Sequence, residues 1–432
     1  MKIKYYLSLF RQASKLDIFD LAYEFSSESL NTLSLAGYWL KVNGLLRKGT
    51  TVRIGIFFWH FYKSLIGYWR RRGAAILNET PFPFVSAYAL SYAYLPLVVI
   101  HFLKAKGYKK KTFGYIFDQY WLSYGLYITA RMWFRRQKPR AFVQANYTYS
   151  YHRVLHKAAC DEYIPTFFLQ HASLPDNIPP LQSDYALLEG QDALNKLAHA
   201  GTTPSRIFLI GMPKLDAHLR HINVQAQVRS IGICTNDLDP LLRAEQLLAR
   251  IRQEFAALPL ILRPHNADLR VSAWQDLARR YGIELSDSRT GLSFDFLRRV
   301  DAIIVGDSNL LLEAALVDVV PLYYDFAERK IDWYGFQRHG LVPYFSEPQQ
   351  VCHCIEEISV SKPPVWAKAK LYCATVGTRY DGHSDELAAA LIQSLVSGAQ
   401  VDRSIWKRIP DIGLEAYELE DDRVITIGNR SL

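Results

Sequence analysis

The sequence predicts an α/β protein of two doubly wound domains facing a cleft, preceded by a basic helical front. Three observations carry that expectation. Between residues 140 and 324, short apolar runs of strand length alternate with helix-length amphipathic stretches, the pattern of parallel sheets covered by helices. The alternation has two starts, one at Arg140 and one after His221. Finally, the charge divides: residues 1–140 hold 22 Lys+Arg against 6 Asp+Glu, a charge of +16, and the remaining 292 hold 29 against 36, a charge of −7. The formal net charge of +9 therefore joins two opposed surfaces.

With 50% hydrophobic residues, 13% aromatic, and only 23 Gly and 19 Pro in 432 residues, disordered and collagen-like chains are excluded. Such a length accommodates about two to three domains with cores of their own. The five cysteines, Cys160, Cys234, Cys352, Cys354 and Cys373, are an odd count spread over a long chain with no secretory signal ahead of them. This predicts a reducing, cytosolic compartment. Cys352-His353-Cys354 suggests a metal site, but ligand pairs normally leave two or more residues between cysteines, so free thiols on or near a helix are expected and no metal is.

Long apolar-periodic runs with few turn signals predict helices over the first 140 residues. Their basic residues cluster as Arg70-Arg71-Arg72, Lys104, Lys106, Lys109-Lys110-Lys111, and Arg131, Arg135, Arg136, Lys138, Arg140, with aromatic stretches at 54–62 and 115–121. Cationic groups meet lipid phosphates while rings settle at headgroup depth, so an anionic membrane surface or an anionic glycan is the expected partner. Solvated helix faces are the alternative, and nucleic acid is not expected because no motif for it is present. Residues 81–103 lack Asp, Glu, Lys and Arg, a length that spans roughly 30 Å of hydrocarbon as a helix. Ser86, Tyr88, Ser91, Tyr92, Tyr94, Pro96 and His101 interrupt the run, and basic clusters on both sides give no orientation. A buried or interfacial helix pair is expected there.

The first α/β series reads as a strand at 140–146, a helix at 151–160, and strands at 166–171, 185–190 and 207–211 with a helix at 192–200. Ligands sit beyond the carboxyl ends of such strands, which here carry Asn146, His171, Glu189 and Gly211. The second series has strands and their loops at 230–237, 259–265, 283–285, 302–308 and 320–324. Helices are expected between them at 240–256, 272–281, around 294–297, and at 310–317. An amphipathic helix at 384–397 and a hairpin at 415–428, with Asp421-Asp422 at its centre, close the chain.

His171 emerges from a buried strand, where an imidazole serves as general base on an acceptor hydroxyl or as a hydrogen-bonded loop residue. Gly211-Met212-Pro213-Lys214 combines close backbone approach with a phosphate-neutralising lysine; a plain turn before a helix has the same pattern. Arg263 and His265 end a strand as two donors to phosphate oxygens. Asp307, Ser308 and Asn309 open the following helix, where backbone N–H groups favour an anion, and Glu313 one turn deeper accepts from ribose hydroxyls or is simply solvated. Asp237 and Asp239 precede a helix and read first as N-caps. Asp237 and Glu189 are also candidate carboxylates for an oxocarbenium-like centre.

At these residues the sequence resembles GT-B transferases of capsule and teichoic-acid synthesis. Gln170-His171, Ser183-Asp184-Tyr185, residues 206–216, Arg263-Pro264-His265 and Gly306-Asp307-Ser308-Asn309 look like the ordered motifs of that group. It includes CDP-glycerol glycerophosphotransferases and is similar in layout to bacterial Kdo transferases that use CMP-Kdo. The resemblance covers residues 165–345. It implies two Rossmann-like domains: an acceptor-side domain at 1–222 that includes the basic front, a nucleotide-sugar-binding domain at 223–385, and a crossing helix and tail at 386–432. The glycerophosphotransferases usually show His-Gly where this chain has His171-Ala172, and His-Pro where it has Pro264-His265, which favours a sugar donor over glycerol phosphate. Residues 332–336 and 340–342 also look like segments of surface-polysaccharide glycosyltransferases. The resemblance thus implies a glycosyltransferase that moves a sugar, with Kdo as a candidate, from a CMP-, CDP- or UDP-linked donor to a surface glycan or glycolipid. Arg263, His265, Ser308 and Asn309 would hold the donor phosphate, and His171 or Asp237 would act at the sugar. It implies no cofactor or metal, and a cytoplasmic protein peripheral on the inner membrane face. The competing expectations are a CDP-polyol phosphotransferase and a non-catalytic glycan- or membrane-binding assembly protein on the same frame.

Overall fold

The computed structural model describes residues 2–16, 83–107, 109–110, 117–147, 150–176, 178–219, 222–410 and 412–420. The Arg70-Arg71-Arg72 cluster, the aromatic stretch at 54–62, Lys111 and Asp421-Asp422 lie outside them. The chain divides into two compact units, residues 1–169 with 181–186, and residues 170–180 with 187–432.

In the first unit the helices are Lys2–Lys15 (α1), Phe84–Lys104 (α2), Phe117–Gln137 (α3) and Ser150–Asp161 (α4). The strands are Phe142–Gln144 (β1), Thr166–Leu169 (β2) and the start of Tyr185–Leu188 (β3), in the order β1-β2-β3. β1 and β2 pair in parallel with Phe142 opposite Thr166, and α4 is their crossover. α3 is the centre of the core, burying Tyr120, Trp121, Tyr124, Tyr127 and Phe134 against Tyr94 and Val98 of α2. The two helices approach closely because small residues face each other. A Cβ added at Gly125 would overlap the Ala87 carbonyl and the Ser91 hydroxyl, which itself donates to Ala87 O at 2.8 Å.

α2 holds Pro96, which lacks an N–H and crowds the preceding turn, and its parts Ser86–Tyr92 and Leu95–Lys104 are bent by 61°. Among the described residues no single helix is long and apolar enough to cross a membrane; this bent pair reaches that length and composition only together. One part of the predicted basic surface is corrected. Arg131 is buried, with Nε on Glu162 Oε1 at 2.6 Å, Nη1 on the Tyr127 hydroxyl at 3.1 Å, and Nη2 on Asp161 O at 3.3 Å. Arg135 bonds the other oxygen of Glu162 at 2.6 Å. These two arginines fasten α3 to the end of α4, since a buried guanidinium must be paired.

The second unit takes up β3 at Leu187 and continues through Gln191–Ala200 (α5), Arg206–Leu209 (β4) and Asp216–Leu219 (α6). Next come Ile231–Thr235 (β5), Leu241–Glu254 (α7), Leu260–Pro264 (β6), Val271–Arg280 (α8), Glu284–Leu285 (β7) and Ser293–Leu297 (α9). Ala302–Val305 (β8), Leu310–Leu316 (α10), Val320–Tyr324 (β9), Tyr344–Phe345 (β10) and Pro348–Val360 (α11) follow. Ser384–Val396 (α12), Trp406–Arg408 (β11) and Ala416–Leu419 (β12) complete it. Period decides these assignments: α7 buries Ala244, Leu247, Leu248 and Ile251 at helical spacing, whereas β5 is buried at all five positions, as a central parallel strand must be.

One sheet here runs β3-β4-β12-β11 and the other β10-β9-β8-β5-β6-β7, with the neighbouring strands of the latter parallel throughout. From β5 the chain moves outward to β6 and β7, then returns to β8 and proceeds to β9 and β10 on the other side. The strand order therefore reverses between β5 and β8, the position beyond which open parallel sheets generally receive ligands. β12, in the first half of the hairpin expected at 415–428, pairs antiparallel with β11, Trp406 opposite Leu419; the second half of that hairpin lies outside the described residues. Cys352 is buried and Cys354 half-buried on α11, while His353 is exposed beside Glu356 and Glu357. Among the described residues no group of three His, Cys, Asp or Glu is arranged for a metal ion.

Gly125→Val should lower unfolding free energy by about 1–3 kcal/mol through overpacking of the α2–α3 crossing. Urea denaturation followed by far-UV circular dichroism measures this, and an unchanged midpoint would contradict the packing described.

Candidate functional site

All the sequence-predicted site residues lie in the second unit. At the end of β2 the chain enters Gln170, whose backbone N–H donates to Leu187 O at 3.0 Å. Its buried amide does three things. Oε1 accepts from the Glu189 N–H at 2.9 Å, and Nε2 donates to Glu189 Oε2 at 3.1 Å and to Ala172 O at 3.0 Å. The loop that presents exposed His171 is thereby tied to the carboxyl end of β3.

Glu189 is 2% exposed, and its Oε1 has no hydrogen-bond partner. Burial pushes its carboxyl up to about 8, against a lowering pull from Lys214 and with a raising push from Glu313. At neutral pH it holds its proton. The neighbouring Gly190 is needed for close approach, since a Cβ there would stand 2.5 Å from the Tyr372 carbonyl carbon.

Beyond β4, Gly211 has φ +79, and a Cβ would overlap the Thr375 hydroxyl. The chain then turns through Pro213–Leu215, which sets Lys214 Nζ 3.2 Å from Glu313 Oε1 on α10. Ser293 donates to the other Glu313 oxygen at 3.2 Å. Glu313 is thus a bonded, largely enclosed carboxylate and not a solvated one. Asp216 accepts the Asp385 N–H at 2.7 Å and is pushed up to about 6 by burial, so the α12 N-terminus packs on this segment.

The reversal point of the second sheet is built from two loops. In that after β5, Asp239 is buried, accepts the Asn236 N–H at 2.8 Å and is raised to about 6 by burial. The predicted capping is corrected: Pro240 stands at the start of α7 with no side-chain cap, because Asp239 turns back to close its own loop. Asp237 lies in the same loop, whose carbonyls at 236 and 239 are held by Arg270. In the loop after β8, Gly306 lies close enough to Asp239 that a Cβ would be 3.9 Å from its carboxylate. Asp307 follows, with one oxygen on the Trp333 N–H at 3.0 Å and the other buried without a partner; burial raises it to about 7. Ser308 Oγ accepts the Leu310 N–H at 3.3 Å, and Asn309 Oδ1 accepts the Ser173 N–H at 3.1 Å.

His265 is exposed after β6, with its N–H on Thr235 O at 2.8 Å and Nδ1 accepting from the Ala267 N–H at 3.2 Å, so a neutral ring carries its proton on Nε2. Arg263 is directed elsewhere. It is 8% exposed, donates to Ser286 Oγ at 2.8 Å and Gly291 O at 2.6 Å, and lies over the Phe296 ring. The phosphate grip expected of it gives way to holding the 286–291 loop.

Two groups are absent from the sequence reading, Ser293 and the pair Lys196–Asp192, and Gln170 enters it only as part of a motif, without a role. Lys196 is buried and donates to Asp192 Oδ2 at 2.6 Å, Leu174 O at 2.8 Å and Tyr334 O at 2.7 Å, joining the loops after β2 and β9. An i,i+4 Asp–Lys pair among apolar α5 positions was the available signal.

No protein-family model and no curated protein sequence matches the chain. Solved structures do. A protein from Listeria monocytogenes assigned as a UDP-N-acetylglucosamine 2-epimerase superposes with a TM-score of 0.50 at 12% identity over 65% of this chain and 81% of that one. The fold is GT-B. UDP-N-acetylglucosamine 2-epimerase from Neisseria meningitidis bound to UDP-GlcNAc gives 0.46 at 10% identity over 62% and 80%. The wall teichoic acid polymerase TagF gives 0.38 at 13% identity over 54% and 68%. Only the first bears on the GT-B assignment.

A carboxyl whose pKa is higher folded than unfolded keeps its proton in the native state between the two values, so stability falls as pH rises through that window. For Glu189 the window runs from its ordinary 4.5 to about 8. Melting temperature should therefore fall across it, and Glu189→Gln should flatten the fall; identical slopes in both proteins would contradict the buried, protonated carboxyl.

Proposed function

We propose that the chain is a GT-B glycosyltransferase that transfers a sugar from a nucleotide-activated donor to a bacterial surface polysaccharide or glycolipid, working at the inner face of the cell membrane. The observation that carries this reading is the Lys214–Glu313 pair beside buried Glu189, in the same unit as the strand-order reversal between β5 and β8. A reversal of this kind is where open α/β sheets receive nucleotides. The name of the Listeria protein also points to a nucleotide sugar as a ligand of this fold.

In this reading the donor's phosphates draw Lys214 from Glu313, and His265 Nε2–H and the loop at Ser308 and Asn309 supply further donors. Glu313, released from the lysine, accepts from the ribose hydroxyls. His171 takes the proton of the acceptor hydroxyl as it attacks the anomeric carbon, and the nucleotide leaves with its charge neutralised by Lys214. Glu189, already protonated, adds no negative charge near the departing phosphate. Asp237 stands on the loop after β5 as the carboxylate facing developing positive charge on the sugar. CMP-Kdo belongs among the donors to be tried, and CDP-polyols test phosphotransfer directly.

Thermal shift with CMP-, CDP- and UDP-linked donors tests the reading. One class should stabilise the protein, by about 2.7 kcal/mol at a hundredfold excess over Kd. Glu313→Ala should lose most of that shift. His171→Ala should retain it while losing at least about a hundredfold in transfer, as expected for a missing general base. No shift with any donor, or full transfer by His171→Ala, would overturn the assignment.

A further inference from the structure

α2 is apolar on both faces. Ala87, Ser91, Tyr94 and Val98 turn inward, while Tyr92, Val99, Ile100 and Leu103 are 46, 39, 46 and 67% exposed. A stripe of this kind, left exposed among the described residues, marks a binding surface. Its charge surroundings are one-sided: no Asp or Glu occurs from residue 84 to 110, and Lys104, Lys106, Lys109 and Lys110 follow the stripe directly. Lys104 and Lys106 are exposed, and Lys110 lies 5.7 Å over the Phe102 ring.

We infer that α2 is the element that docks on an anionic lipid surface, with Val99, Ile100 and Leu103 below the headgroups and the following lysines on lipid phosphates. This rests on the membrane-peripheral part of the function proposed above. Geometry favours lying in the interface over crossing it. The Leu95–Lys104 part is about 15 Å long at 1.5 Å per residue, half of a roughly 30 Å hydrocarbon core, and the 61° bend turns it away from the part before it. An apolar edge with cations beside it matches an interfacial helix, which sinks only about 5–10 Å. A protein partner would need anionic groups for the lysines and an apolar groove for the stripe; an anionic bilayer supplies both in the required layered order.

The test uses the full chain and sedimentation with vesicles of phosphatidylcholine alone or with one-third phosphatidylglycerol. Wild type should sediment with the anionic vesicles and be released by salt. Ile100→Glu with Leu103→Glu should reduce partitioning at least about tenfold without changing the melting temperature. Lys104→Gln with Lys106→Gln, which leaves the apolar packing untouched, should reduce it about fivefold per lysine. Sedimentation of both variants like wild type would overturn the role of α2 while leaving membrane association standing. Wild type remaining in the supernatant with both vesicle types would overturn both. A concentration-dependent dimer abolished by Ile100→Glu would make a second copy the occupant and overturn the lipid assignment.

Discussion

A carboxyl removed from water needs a cation, a set of hydrogen-bond donors or a proton, and in the second unit burial repeatedly pushes carboxyls toward the proton. Glu189, Asp307, Asp239 and Asp216 all end or follow strands and are all raised by burial. Each receives a hydrogen bond on one oxygen, from Gln170, Trp333, Asn236 or Asp385. In Glu189, Asp307 and Asp216 the second oxygen is buried without one. Anchoring by one donor fixes where each loop sits; at neutral pH Glu189 keeps its proton, while Asp239 and Asp216, raised only to about 6, keep the charge that burial penalises.

The consequence beside Lys214 is a difference in charge between two carboxyls. Lys214 and Glu313 remain an ion pair, partly exposed on the lysine side, while the nearby Glu189 is neutral. A pair in contact with solvent is weakly held and exchanges partners readily. A doubly anionic ligand is the kind of group for which such a lysine would leave a single carboxylate. Around it the loops are rigid: Lys196 is saturated by one carboxylate and two carbonyls, and Gln170 by one carboxyl and two backbone groups. Preorganisation of this sort lets a charge redistribution at Lys214 occur without rebuilding the site.

Much of this was legible in the sequence. Strand-length apolar runs placed β1 to β9, and the polar residues ending them, His171, Glu189 and His265, are found beyond the strands as expected. Short strands buried on both faces are the strongest signal a sequence carries for a parallel sheet. What stayed hidden was where long side chains point. Arg263 reads as a phosphate ligand and Arg131 as a surface cation, yet each is folded into the protein by partners far along the chain, Gly291 for one and Glu162 for the other. The role of Asp239 was misread because an Asp before a helix closes its own loop or caps the helix with equal local plausibility, and here the loop won. Gln170 carried a motif but no role, because nothing in its neighbours announces Glu189 as its partner nineteen residues on.

The central claim is chemical transfer from a nucleotide donor at the Lys214–Glu313 pair. Its most direct measurement is the simultaneous release of free nucleotide and incorporation of labelled sugar into a glycan or glycolipid acceptor, with the donor class that stabilises the protein. The account predicts one nucleotide released for each sugar incorporated, and loss of both on replacing Glu313. Nucleotide bound with neither release nor incorporation across the donor panel would contradict it, and would make the GT-B frame a binding module.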